Sequence, residues 1–86
     1  MTVASEIHQR LSETFTPEKL EVVNESHLHA GHAGDDGSGE SHFRVVIVAA
    51  DFAGKTRIAR HRAVHAAMGP DLIGRIHALA LDISAP

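Results

Sequence analysis

The chain has 86 residues, 43% of them hydrophobic and 22% charged, no cysteine, and a formal charge of −3 at pH 7 with histidine neutral. That size implies one domain over residues 1–86, with no room for a separate catalytic module. The absence of thiols excludes a disulfide framework and any thiolate ligand from this chain. No apolar run approaches the ~20 residues a membrane helix requires, and nothing resembles a signal peptide, so the expected location is the cytoplasm, or an organelle matrix in a eukaryote.

Val3, Ile7, Leu11 and Phe15 recur every four residues, which predicts a helix over about 3–15 with Thr2 as N-cap and Pro17 as stop. Leu20 and Val22 alternate with Glu21, so 19–25 reads as a strand. Residues 27–41 hold four Gly, two Asp, two Ser and three His, the composition of a long, flexible loop between strands. Phe43 to Ala50 is the most apolar stretch, with hydrophobic residues on both faces, and is expected as a central strand in antiparallel pairing with the first. Thr56 caps a second helix over 57–68, which Gly69-Pro70 ends. Asp71 to Arg75 is read as a connection to a third strand, Ile76 to Ile83. The order α-β-β-α-β predicts an α+β sandwich, a small three-stranded sheet packed against two helices.

Chemistry-bearing residues gather in two places. Of eight histidines, His27, His29, His32 and His42 fall within sixteen positions, and His77 lies in the apolar run Ile76-His77-Ala78-Leu79-Ala80-Leu81. Neutral imidazole is the commonest protein metal ligand, so a His-rich loop with a fixed His on a strand is a metal half-site awaiting outside donors. A polar loop tip and a half-buried strand residue account for the same letters without a metal. Lys55, Arg57, Arg60 and Arg62 are half of all cationic residues, within eight positions and with no acid between them. Positive charge at a helix start opposes the macrodipole, and the free N–H groups there add to an anion-attracting surface. The alternative is a solvated helix face. Ala53-Gly54-Lys55-Thr56 has the setting of a phosphate loop but Ala49 where that motif needs its first glycine. Gly31-His32-Ala33-Gly34 matches the GxxG of KH domains, but in an inter-strand loop without basic neighbours. No Ser sits in a recognisable setting with His and a carboxylate, and an enzyme is not expected.

Four blocks, Leu20-Glu21-Val22-Val23-Asn24-Glu25-Ser26, Gly39-Glu40-Ser41-His42-Phe43-Arg44-Val45, Arg60-His61-Arg62 and Ile76-His77-Ala78-Leu79-Ala80-Leu81, resemble the BolA family in its own order and across essentially the whole chain. The resemblance implies an α+β sandwich similar to a class II KH domain. It implies a non-catalytic adaptor in iron–sulfur trafficking or iron sensing that pairs with a monothiol glutaredoxin and glutathione to share a [2Fe–2S] cluster, none being held tightly by the isolated chain, itself a monomer or weak dimer. The matching ligands are His77 and a loop histidine, His29 by position, with His32 and His27 close enough to compete. Imidazole in place of thiolate raises a cluster's potential, and free imidazole titrates near pH ~6.5, so ligation should weaken in acid. The basic run would then dock the partner. Some family members are transcriptional regulators acting in stress responses, which makes DNA binding through Lys55, Arg57, Arg60 and Arg62 the alternative. A third reading is zinc or copper capture by the loop alone.

Overall fold

The computed structural model describes residues 2–26 and 42–86. Helix α1 spans Val3–Thr14, and the Thr2 hydroxyl oxygen accepts from the Ser5 N–H at 3.1 Å, satisfying one of the donors a helix start leaves free. Four-residue spacing puts Val3, Ile7 and Leu11 on one side, where all three are buried. Strand β1, Lys19–Asn24, runs antiparallel to β2, His42–Val48, with Leu20 opposite Ile47 and Val22 opposite Val45. On the other side of β2 lies β3, Ala78–Ser84, in parallel register, placing Leu79, Leu81 and Ile83 beside Phe43, Val45 and Ile47. The sheet order is β1-β2-β3, so the most apolar strand is central, as its composition predicts.

A parallel neighbour cannot be reached by a tight turn and needs a crossover. It is supplied by α2, Arg57–Met68, and a short α3, Pro70–Ile73. Phe43, Val45 and Ile47 face the helices in one core with Ile7, Leu11, Val64, Met68 and Leu72. The opposite sheet face, with Arg44 exposed and Val46 and Val48 half-buried, is more open. All three phenylalanines are buried, and the Phe15 and Phe52 rings pack tilted at 4.8 Å.

Three boundaries differ from the sequence expectation. The strand expected to reach Ala50 ends at Val48, and Ala50–Phe52 forms a 3-10 turn that carries Phe52 into the core. The connection after α2 is itself partly helical. Pro70, fixed in φ and lacking an N–H, suits a first helical position, so Gly69-Pro70 both ends α2 and begins α3, which buries Leu72. The third strand starts at Ala78 rather than Ile76. The N–H groups of Arg75 and Ile76 are spent on the carbonyls of Leu72 and Ile73, both at 3.1 Å, completing the turn after α3 instead of entering the ladder. His77 therefore stands one residue before β3 and not on it.

The α2–α3 joint is held from α1. Gly69 has φ +86°, a conformation open to glycine. Arg10 donates to the Met68 carbonyl and, through two nitrogens at 3.2 Å each, to the Asp71 carboxylate. That occupies one of the carbonyls that α2 leaves unpaired at its end. Among the described residues no helix is long and apolar enough to cross a membrane.

Candidate metal half-site and basic surface

The parallel register of β2 and β3 decides the neighbourhood of His77. His42, first residue of β2, pairs with Ala78, and its ring lies 5.2 Å from that of His77, centroid to centroid, tilted by 51°. His77 is exposed, whereas His42 is only 5% exposed. The His42 backbone is tied on both sides. Its N–H donates to the Ser26 hydroxyl oxygen at 3.0 Å, and its carbonyl accepts from the Glu25 N–H at 2.8 Å and from the Ser26 hydroxyl at 3.4 Å. Asn24 in turn accepts the Ser26 N–H on its side-chain oxygen at 2.9 Å, an Asx turn. Asn24, Glu25, Ser26 and His42 thus close the base of the segment 27–41, and the exposed His77 ring stands against that base.

The expected loop ligands His29 and His32, together with His27 and the Gly31–Gly34 motif, lie outside the described residues. The residue that sequence reasoning left out of the site is His42. Its place in the His-rich span is the one available signal. Nothing local sets it beside His77, because that contact depends on strand register. As a donor set the pair is two imidazoles of the type zinc takes, with ring centres at a separation, 5.2 Å, that ordinary ring packing also gives. No group of three or more ligand-type side chains gathers among the described residues, so the arrangement is a half-site.

The basic run divides into parts with different work. Lys55, Arg57 and Arg62 are exposed, but Arg60 is half-buried. Its Nε donates to the Phe52 carbonyl at 3.2 Å and its Nη1 to the Ile83 carbonyl at 3.3 Å, tying the 3-10 turn to the end of β3. Arg60, one of the expected binding cations, thus also braces the fold while lining the surface groove. Arg44, Lys55, Arg57, Arg60 and His61 line an open groove of about 600 Å³ that also contains Asp82. Arg44 is paired with Glu25 at 3.3 Å. Arg62 faces an adjoining shallow surface with Ile58 and His65, and Arg57 and His61 border both it and the groove. The four cations therefore differ in use: Arg60 braces the fold, while Lys55, Arg57 and Arg62 are exposed.

Comparison with known proteins places the chain in a family. The family model described as BolA-like protein matches residues 11–86. The chain is 52% identical to a Sinorhizobium protein described as an uncharacterized protein in the cobS 5' region, covering all of this chain and 94% of that one. It is 45% identical to human BolA-like protein 1 over 98% of its own length, but spans only 58% of the human protein. With the DNA-binding transcriptional regulator BolA of Haemophilus influenzae it shares 38% identity over its whole length and 80% of that chain. Its fold superimposes on BolA1 from Arabidopsis thaliana with a TM-score of 0.83 at 31% identity, covering 100% of this chain and 94% of the other.

Proposed function

Because the chain belongs to the BolA-like family, we propose that it is a non-catalytic adaptor that joins a monothiol glutaredoxin and completes a [2Fe–2S] centre with histidine. The observation that carries this reading is the exposed His77 ring against the closed base of the segment bearing His27, His29 and His32. His29 follows Ser26 by three residues, and three residues of chain span at most about 11 Å. When bound, the cluster would supply redox-active iron whose potential rises where imidazole replaces thiolate. This chain's own part is to present His77 and a loop histidine, His29 or His32, as neutral nitrogen donors on a rigid frame. Since it has no cysteine, every thiolate must come from the partner and its glutathione.

The test is a titration of the chain into a [2Fe–2S]-loaded monothiol glutaredoxin, followed by visible absorption and circular dichroism. With no Trp or Tyr, this chain adds little near-ultraviolet signal of its own. The expected result is a changed spectrum that saturates at one chain per cluster and is lost with His77→Ala. A spectrum that His77→Ala leaves unchanged refutes the ligand role.

One observation favours a second reading, DNA binding: a basic groove in a chain related to a protein named as a DNA-binding regulator. The available cations there are fewer than the run implies, since Arg60 and Arg44 are engaged and Asp82 lines the same groove. Lys55 and Arg57 are left to meet phosphates. Duplex affinity should then fall with salt and with Arg57→Ala. Affinity indifferent to both removes this reading.

A further inference from the structure

We infer that His42 and His77, set ring to ring across the β2–β3 boundary, form a two-imidazole site for a single divalent transition ion, which this chain fills without a thiol-bearing partner. The His42 ring comes from the first residue of β2 and the His77 ring from the residue just before β3, whose Ala78 pairs with His42, and their 5.2 Å separation is close to the roughly 5 Å expected of two imidazoles on one tetrahedral ion. His42 is the anchored member. Its ring is buried and its backbone is held on both sides by Ser26, so its side chain has little freedom to lose on binding. His77 is the open member. Its ring is exposed, and two histidines fill half of a tetrahedral shell, which water or a small anion would complete. Imidazole pairs suit zinc(II), nickel(II) and copper(II), and exclude magnesium and calcium, which take oxygen donors. Arg44, the charged residue two positions along β2, is neutralised by Glu25, so that near guanidinium does not oppose a cation as a lone charge would.

This site differs from metal capture by the loop alone, which requires His27, His29 and His32 and ignores His77. It also stands apart from the shared-cluster reading, because it needs neither a glutaredoxin nor a loop histidine. The probe is zinc(II), titrated into the full chain carrying His27, His29 and His32 all replaced by Gln, with the imidazole nitrogens followed by NMR. The expected result is one-to-one binding in which the His42 and His77 nitrogen signals shift together. Adding His42→Phe keeps a ring against His77 but removes the donor, and should weaken zinc affinity at least tenfold.

Loss of all zinc binding in the loop-substituted chain overturns the inference. So does a shift at His77 without one at His42, or an affinity unchanged by His42→Phe. Should His42→Phe fail to fold, the His42 nitrogen signal in the chain that retains this residue decides the question. The glutaredoxin titration with His77→Ala reads the cluster function separately, so either conclusion can fail while the other stands.

Discussion

Replacing Arg60 with alanine tests whether the basic run is a binding surface or part of the scaffold. The Arg60 guanidinium makes two hydrogen bonds to backbone carbonyls, at 3.2 Å to Phe52 and 3.3 Å to Ile83. Bonds with one charged partner contribute about 1.5–3 kcal/mol each when short and well buried. These lie at the long end of the usual N–H···O range and are half-buried, so the pair is worth about 1–2 kcal/mol together. In a domain of this length each kcal/mol moves Tm by about 4–8 °C. The assay is urea and thermal unfolding followed by far-ultraviolet circular dichroism, since no Trp or Tyr reports on the core. Arg57→Ala and Arg62→Ala, on exposed residues whose side chains make no hydrogen bond or ion pair among the described residues, should stay within about 0.5 kcal/mol of the parent. Arg60→Lys should recover only part of the loss, because an ammonium cannot span two carbonyls as a planar fork does. An Arg60→Ala chain as stable as Arg57→Ala refutes the scaffold role. Any weakened DNA or partner binding in Arg60→Ala must also be compared with its folded fraction before contact is inferred.

Gly69→Ala should destabilise the chain by about 1–3 kcal/mol, because the residue sits at φ +86° and a Cβ would lie 3.0 Å from both Arg10 Nη1 and Asp71 Oδ1. An unchanged Tm would show that the α2–α3 joint does not need this conformation. Acid should weaken the fold through two carboxylates. The hydrogen-bonded Arg75 guanidinium holds Glu6 below the ordinary carboxylate range, and Arg10 does the same for Asp71. Each folded-state pKa is depressed, so the stabilisation is present above the unfolded carboxylate range and is lost as pH falls through the lower, folded value. Tm of the parent should therefore drop on acidification below about pH 4 more steeply than that of a Glu6→Gln, Asp71→Asn chain. Parallel Tm profiles for the two chains across that window would contradict the assignment.

What could be read from residues alone was local. The four-residue repeat of Val3, Ile7 and Leu11, the capping Thr2 and Thr56, and the alternation of Leu20 and Val22 each act within a turn or a strand, and the elements formed where expected. The α2 limits agree at both ends because a cap and a Gly-Pro pair mark them chemically. α3 escaped notice because four residues are too few to show a period, and Pro70 reads equally as an ending or a beginning. The candidate metal residue His77 was legible as an imidazole beside an apolar run. Its partner His42 was not, because adjacency between residues 42 and 77 follows from the parallel register of β2 and β3, which depends on the crossover packing against the core. The same holds for Arg60. Its neighbours in sequence are cations, but its neighbours in space include the carbonyls of Phe52, in the 3-10 turn eight residues before it, and of Ile83, on a strand that only the folded sheet brings to it. Periodicity and capping are short-range and survive in the one-dimensional pattern. Register, burial and the pairing of side chains across strands arise only when the whole core is assembled.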